Sequence, residues 1–249
     1  IKNTLIVYTT PRTEEQKSAL YSVKKILENH RIGYSLANRD RLSKAQFAGR
    51  ELVIAVGGDG TFLRAAQFVR GHNLFGVNAD VLRKEGFFMK SGKDDFEDKL
   101  KKIMKGSYEI KKLPRLEAYI NGKKIDSVAL NEFFIGAKKS YQSAKYVIQI
   151  GGRKERQKSS GVLVATPAGS HSWAKSSCGK TLPLSSNKYQ LVVREPYERK
   201  IFRDYKLKYG ELKRSQKVDI FSEMLEGILV ADSVGKEHRL KDGDKVTIK

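Results

Sequence analysis

Residues 52–66 read LVIAVGGDGTFLRAA, and they combine three local signals in a fixed order. The first five residues, LVIAV at 52–56, form an apolar run typical of a buried strand. Three glycines and one aspartate follow in GGDG at 57–60, before a segment with helical character. A strand, a glycine-rich turn and a helix in this order can hold phosphate groups, because glycine leaves backbone N–H groups open and a helix N-terminus attracts anions.

The segments on either side alternate between strand and helix. Apolar residues recur at helical spacing after Thr13, which is placed to act as an N-cap. Helices are predicted at 13–30, 61–71 (closed by Gly71) and 93–106, and strands at 4–9, 31–37, 52–58 and 74–78. This order predicts an α/β N-terminal domain, residues 1–107, with a parallel, doubly wound sheet.

The pattern changes after residue 107. Apolar and polar residues now alternate in short runs that are separated by turn signals such as NG, GG and DG. The strand-like runs lie at 108–122, 123–136, 144–154, 161–169, 189–196, 218–224, 227–233 and 245–249. Residues 108–249 are therefore predicted to form a β-rich, β-sandwich-like domain.

The composition is that of an ordinary folded protein. The chain has 249 residues, of which 39% are hydrophobic and 31% charged, and no stretch is long and apolar enough to span a membrane. Cys178 is the only cysteine and no signal peptide is visible, so we expect a cytoplasmic location. The four histidines show no metal-ligand spacing, so we expect no metal site built from protein side chains.

The net charge of +21, from 49 Lys+Arg and 28 Asp+Glu, favours anionic partners. The basic residues are spread along the chain, and no nucleic-acid-binding signature is present. We therefore expect nucleotides as ligands, and neither nucleic acid nor a membrane as a partner.

The glycine-rich segment matches neither common nucleotide loop. No G-K-[ST] follows as in a Walker loop, and the G-x-G-x-x-G spacing is absent. A tight turn that uses glycine at positive φ is the structural alternative. Asp59 is unusual beside a phosphate, because a carboxylate repels phosphate unless it holds Mg²⁺ or takes a proton. This placement predicts phosphoryl transfer.

GGDGTFLRAA resembles the signature shared by NAD kinases and the diacylglycerol and sphingosine lipid kinases. ALNE at 129–132 resembles the NE motif of NAD kinases, and SSGVLVATPAGSHSWAKSSCG at 159–179 resembles their long glycine-threonine motif. The resemblance covers about residues 50–235 and is closest to the mitochondrial-type branch and its prokaryotic relatives.

The resemblance implies a fold like that of NAD kinase and diacylglycerol kinase, and transfer of phosphate from ATP, with Mg²⁺, to the adenosine-ribose 2′-hydroxyl of NAD. It also implies a homodimer or homotetramer. Asp59 would be the catalytic base. The predicted phosphate and ATP contacts are Gly57, Gly58, Gly60, Thr61 and Arg64. The predicted NAD contacts are Asn78, Asn131, Glu132, Lys158, Ser160, Thr166, His171, Ser172, Trp173 and Ser176.

Two of the predicted NAD contacts have alternatives. Trp173 could stack on a base or belong to the domain core, and Lys158 could meet a pyrophosphate or remain solvated. Two rival functions also stay open. A lipid kinase of the same superfamily is disfavoured by the NE and TP-x-GS blocks, and a non-catalytic nucleotide-binding protein is the other rival.

The sequence departs from the family pattern at several positions. Ser160 stands where the family has an aspartate between two glycines, and the family's Thr-Ala-Tyr is replaced by residues 171–173, His-Ser-Trp. Asp232 is followed by Ser233 in place of a glycine. The segment NADVLRKEGFF, residues 78–88, is expanded and brings Asp80 into the predicted site.

Overall fold

In the computed structural model, which describes all 249 residues, the chain divides into two units, Ile1–Lys111 and Lys112–Lys249. Each unit has its own sheets and its own hydrophobic core. No helix has the length and apolar character that crossing a bilayer requires.

The first unit contains a five-stranded parallel sheet with the order β2-β1-β3-β4-β5. Its strands are β1 (Asn3–Tyr8), β2 (Gly33–Asn38), β3 (Leu52–Gly57), β4 (Asn73–Asn78) and β5 (Met89–Ser91). Its helices are α1 (Glu14–Asn29), α2 (Lys44–Phe47), α3 (Asp59–Ala66) and α4 (Phe96–Met104), with a 3-10 turn at Arg39–Arg41. The predicted parallel, doubly wound sheet is confirmed.

Helices cover both faces of this sheet. Neighbouring residues of a strand point to opposite faces, and apolar side chains on both faces need to be buried. Ile6 packs with Val23 of α1 and Phe96 of α4 in one cluster. Val7 packs with Ala65 of α3 in a second cluster on the other face. The predicted N-cap of α1 is also present, since the Thr13 hydroxyl accepts a hydrogen bond from the Gln16 N–H.

The predicted end of α3 is wrong. The helix ends at Ala66, whereas the sequence predicted an end at Gly71. The Arg70 guanidinium donates hydrogen bonds to the carbonyl oxygens of Gln67 and Val69, at 3.0 and 2.9 Å. A side chain therefore binds these carbonyls in place of the backbone N–H groups of a continuing helix. Gly71, with φ of +78°, lies in the turn that leads to β4.

The second unit contains two six-stranded antiparallel sheets, with the orders β10-β9-β14-β17-β6-β7 and β13-β12-β11-β8-β15-β16. Its strands are β6 (Leu116–Ile120), β7 (Lys123–Ala129), β8 (Glu132–Ala137), β9 (Ala144–Ile150), β10 (Arg153–Ser159), β11 (Gly161–Ala165), β12 (Lys188–Arg194), β13 (Tyr209–Lys213), β14 (Val218–Ser222), β15 (Gly227–Ala231), β16 (His238–Leu240) and β17 (Lys245–Ile248). A short helix, α5 (Trp173–Ser176), follows a 3-10 turn at Gly169–His171. Side chains of both sheets, such as Phe133 and Tyr146, share one core, as a sandwich requires. The predicted β-rich architecture is confirmed.

Strand register brings three segments of the second unit together at one end of the neighbouring strands β11, β8 and β15. Glu132 begins β8 and pairs with Ala165, the last residue of β11. Phe133 pairs with Ala231, the last residue of β15. The residues that follow β11 and β15 therefore meet the residues that precede β8.

Candidate active site

The predicted phosphate loop joins β3 to α3 without a left-handed turn. Gly57 ends β3, Gly58 caps α3 with φ of −141°, and Asp59 is the first helical residue. None of Gly57, Gly58 and Gly60 has a positive φ. The tight-turn alternative is therefore wrong for these glycines.

Close packing explains why residue 57 is a glycine. A Cβ atom on Gly57 would lie 2.4 Å from Oγ1 of Thr61, which is buried beneath the loop. Thr61 also accepts a hydrogen bond from Nη1 of Arg39 at 3.5 Å. The predicted ATP contact Arg64 donates from Nε to the Arg39 carbonyl oxygen at 3.3 Å, so it supports the segment after β2.

The Asp59 carboxylate is held by backbone groups. Oδ1 accepts a hydrogen bond from the N–H of Phe88 at 2.8 Å, and Oδ2 accepts one from the N–H of Phe87 at 3.0 Å. Asp59 is half-buried. Since each carboxylate oxygen has two lone pairs, the carboxylate is oriented and can still accept a proton or bind a cation.

Asn78 organises the segment that supplies these N–H groups. Its amide donates to the Lys84 carbonyl oxygen at 3.1 Å, and its Oδ1 accepts from the Asp80 N–H at 3.0 Å. A Cβ on Gly86, whose φ is +68°, would lie 2.6 Å from the Asn78 amide nitrogen. Asp80 is buried in the same turn. The structure thus gives Asn78 a supporting role for residues 79–88.

In the second unit, Asp232 organises the NE segment. Its carboxylate accepts hydrogen bonds from the backbone N–H groups of Leu130, Asn131 and Glu132, at 3.0, 2.6 and 3.3 Å. Asp232 and Ser233 both adopt positive φ, 56° and 54°. In the sequence this pair stands out as a departure from the family pattern, but the motifs do not place Asp232 in the predicted site.

Asn131 and Glu132 each present a buried acceptor atom without a hydrogen-bond partner. These atoms are Oδ1 of Asn131 and Oε2 of Glu132, whose residues are 5% and 2% exposed. Burial, and next the charge of Asp232, raise the pKa of Glu132 to about 8, against a smaller lowering effect of the Ser233 hydrogen bond. Glu132 is therefore largely protonated at neutral pH, and the two side chains are suited to polar groups of a ligand.

The segment after β11 is fixed against the same backbone. The Thr166 hydroxyl donates to the Leu130 carbonyl oxygen at 2.5 Å and accepts from the Gly169 N–H at 3.1 Å. A Cβ on Gly169 would lie 2.1 Å from the Asn131 carbonyl oxygen, so only glycine allows this approach. The Ser170 hydroxyl donates to the Pro167 carbonyl oxygen at 2.6 Å. Thr166 and Ser170 thus hold the loop that carries residues 171–176.

The predicted NAD contacts in this loop differ in exposure. His171, Ser172 and Ser176 are exposed, and His171 Nε2 lies 3.1 Å from the Leu182 carbonyl oxygen. The Trp173 ring stacks on Phe134, with centroids 5.1 Å apart.

The Arg194 guanidinium lies 4.6 Å from the centroid of the Trp173 ring. Trp173 is half-buried and packs with the cluster around Leu163 and Val192. This packing agrees with the domain-core alternative for Trp173.

Lys158 and Ser160 lie at the other end of β11 from Thr166. Six residue steps separate Ser160 from Thr166, which corresponds to about 20 Å along an extended strand. The Lys158 ammonium lies 4.4 Å from the centroid of the Tyr197 ring, and the Ser160 N–H donates to the Arg194 carbonyl oxygen at 3.0 Å. The structure does not bring these two residues together with Asn131 and Glu132.

Comparison with known proteins identifies curated relatives, although no protein-family model matches the chain. A probable NADH kinase of Oryza sativa subsp. japonica is 28% identical over 267 residues, covering 97% of this chain and 80% of that protein. An NAD kinase of Thermoplasma volcanium is 30% identical over 199 residues, covering 80% of this chain and 70% of that protein.

Solved structures share the fold over the whole chain. An NAD kinase from Archaeoglobus fulgidus in complex with ATP aligns with a TM-score of 0.78 and 23% identity, covering 99% of this chain and 89% of that one. Yeast NADH kinase complexed with NADH aligns with a TM-score of 0.83 and 16% identity, covering 100% of this chain and 78% of that one.

A parallel sheet with a GGDG loop, together with a β-sandwich unit that carries the NE and TP-x-GS segments, defines a phosphotransferase. The chain belongs to the NAD kinase family. The lipid-kinase alternative is not favoured, because these relatives and structural neighbours are NAD or NADH kinases.

Proposed function

We propose that this protein transfers the γ-phosphate of ATP to the adenosine-ribose 2′-hydroxyl of NAD, giving NADP and ADP. The observation that carries the proposal is the position of Asp59, the first residue of α3, with its carboxylate oriented by two backbone N–H groups. A base held at the helix N-terminus suits phosphoryl transfer, because that end of the helix also favours the phosphates.

Asp59 would take the proton of the 2′-hydroxyl as this oxygen attacks the γ-phosphorus. The new oxygen–phosphorus bond forms while the bond from the γ-phosphorus to the bridging oxygen breaks, and ADP leaves with that oxygen. The hydrogen bonds from Phe87 and Phe88 keep the carboxylate in one orientation.

The residues present fit Mg²⁺ that arrives with ATP. Mg²⁺ commonly binds through one or two carboxylates together with substrate phosphates and water. No group of three or more His, Cys, Asp or Glu side chains is arranged to hold a metal ion, whereas Asp59 offers one half-buried carboxylate at the phosphate loop. When bound, Mg²⁺ neutralises charge that develops on the phosphates.

We assign the ATP phosphates to the N-terminal domain, 1–107, and the dinucleotide to the β-rich domain, 108–249. The unpartnered acceptors of Asn131 and Glu132 support the second assignment, because they can receive hydrogen bonds from amino or hydroxyl groups of a nucleoside. A protonated Glu132 can also donate one hydrogen bond.

The purified protein should be incubated with ATP, Mg²⁺ and either NAD⁺ or NADH, and the product measured with an NADP-specific dehydrogenase. We expect product from at least one dinucleotide, and at least about a hundredfold slower product formation when Asp59→Asn replaces the wild type at equal concentration. Diacylglycerol should remain unlabelled by γ-labelled ATP. Label in lipid without label in dinucleotide would reject the proposal.

The same proposal includes assembly and location. Family resemblance and β-rich edges support a homodimer or homotetramer, which light scattering after size-exclusion chromatography would measure. A monomeric mass over the working concentration range would reject this part. A single cysteine is consistent with a cytoplasmic location, which fractionation of the source cells would test.

A further inference from the structure

A cleft of about 360 Å³ opens in the first unit at the carboxyl ends of its parallel strands. It is lined by Thr9, Thr10, Arg12, Gln16, Arg39, Asp40 and Lys84. Thr9 directly follows β1 and Arg39 directly follows β2. Ligands of doubly wound sheets bind outside the carboxyl ends of the strands, so this cleft lies where a substrate is expected.

Arg39 faces the second half of the phosphate loop. Its Nη1 lies 3.5 Å from the Thr61 hydroxyl and 3.3 Å from the point that a Cβ on Gly60 would occupy. Arg64 supports the Arg39 backbone through its carbonyl oxygen, and the Asp40 carboxylate lies 3.5 Å from Arg39 Nε. The guanidinium is therefore held next to the backbone that α3 presents.

Lys84 faces the first half of the same loop. Its Cδ lies 2.7 Å from the point that a Cβ on Gly58 would occupy, so the lysine side chain runs across this glycine. Burial lowers the pKa of Lys84, Asp80 opposes this effect, and Arg39 adds to it. Two neighbouring cations favour an anion between or beside them.

The phosphate loop itself contains no lysine or arginine, because GGDGT replaces the Walker G-K-[ST] sequence. In a Walker loop the lysine reaches the β- and γ-phosphates and adds positive charge to the backbone N–H groups. We infer that Arg39 and Lys84 provide this charge, with Lys84 over Gly58 and Arg39 beside Gly60 and Thr61, and that both bind the phosphates of ATP. The choice of ATP as the ligand rests on the proposed function, whereas the choice of Arg39 and Lys84 rests on the geometry of the cleft.

The test measures ATP and adenosine binding to Lys84→Met, Arg39→Gln and wild type by calorimetry. Methionine keeps an unbranched chain across Gly58 and removes the charge. We expect each variant to weaken ATP binding by about tenfold to hundredfold, the range for one charged hydrogen bond. Adenosine binding and the KM for NAD should stay within about twofold, since neither ligand presents the triphosphate.

Arg83→Met is the matched control, because Arg83 precedes Lys84 and is exposed. It should bind ATP like the wild type, and Lys84→Arg should recover most of the affinity. Melting temperatures show whether each variant is folded. Because two independent variants are tested, the inference can still be tested if one of them does not fold. Wild-type ATP affinity in both folded variants would overturn the inference. Loss of ATP binding in the variants, together with a wild type that never phosphorylates NAD, would support Arg39 and Lys84 as ligands of the ATP phosphates. The same result would reject the proposed transfer of phosphate to NAD.

Discussion

Oδ1 of Asp59 accepts a hydrogen bond from the Phe88 N–H at 2.8 Å, which ties the proposed base to the segment that precedes β5. The second oxygen is bound in the same way by the N–H of Phe87. The carboxylate therefore combines an observed function, which is to orient a loop, with a proposed function, which is to accept a proton. A mutation at this position affects both functions, so the two effects must be measured separately.

Asp59→Asn should separate the two functions. The variant keeps one acceptor oxygen and loses both the charge and the base. We expect turnover to fall by at least about 10²–10⁴-fold, the usual loss for a general base. Dinucleotide affinity should stay within about tenfold, since Asn131 and Glu132 are unchanged. Steady-state kinetics and calorimetry measure the two quantities, and near-normal turnover would show that Asp59 only orients the loop.

Glu132→Gln should change how stability depends on pH. The pKa of Glu132 is raised from its ordinary value of 4.5 to about 8 in the folded protein. Between these values the folded state binds more protons than the unfolded state, so this group's contribution is full below pH 4.5 and is lost as pH rises towards 8. The loss is about 1.4 kcal/mol for each pH unit within this window.

Because glutamine has no proton to lose, the variant lacks this contribution. We expect the unfolding free energy of the wild type, relative to that of Glu132→Gln, to decrease as pH rises from 4.5 to 8. Denaturant titrations at several pH values measure the difference. A difference that is constant over this range would mean that Glu132 titrates normally in the folded protein.

Gly169→Ala should destabilise the second unit. The new Cβ would lie 2.1 Å from a backbone oxygen of Asn131, which cannot move away as a flexible side chain could. We expect the unfolding free energy to fall by about 2–3 kcal/mol, as for other overpacked sites. Gly210→Ala is the control, because a Cβ there meets no atom within 4 Å and should change stability by about 0.5 kcal/mol or less.

Trp173→Ala distinguishes the two alternatives for this ring. Since Trp173 packs on Phe134 and Arg194, we expect an unfolding free energy lower by about 2 kcal/mol. Dinucleotide affinity should change by about threefold or less. A folded variant of unchanged stability that loses tenfold or more in NAD affinity would instead support base stacking. Thermal melts and NAD titrations on the same sample provide both values.

The sequence was most informative where a local signal coincides with burial. β3 is buried along its whole length, and α1 begins after a threonine that caps it, so both elements were predicted correctly. β13 and β16 were missed because residues such as Lys213 and His238 leave little apolar alternation, and pairing with neighbouring strands determines these edges. The run predicted at 108–122 forms a strand only at Leu116–Ile120.

In the candidate site too, features within one short segment could be predicted from the sequence, whereas contacts between distant residues could not. The GGDG segment is continuous, so the phosphate loop and Asp59 could be proposed together from the sequence alone. Asp232 contacts Asn131 across 101 positions, and Arg39 contacts Thr61 across 22 positions. Such contacts follow from strand order and register, and no spacing in a single sequence encodes them.

The pairing of the last strand bears on the order of events during synthesis. β1–β5 are complete once residue 91 has emerged, whereas β6 pairs with β17, and Glu117 exchanges backbone hydrogen bonds with Lys249. At about 5–20 residues per second, the ribosome needs roughly 10–30 s to add the intervening chain. The first unit can therefore fold while β6 still has an open edge, and this interval is when the nascent second unit is most exposed to wrong strand pairing.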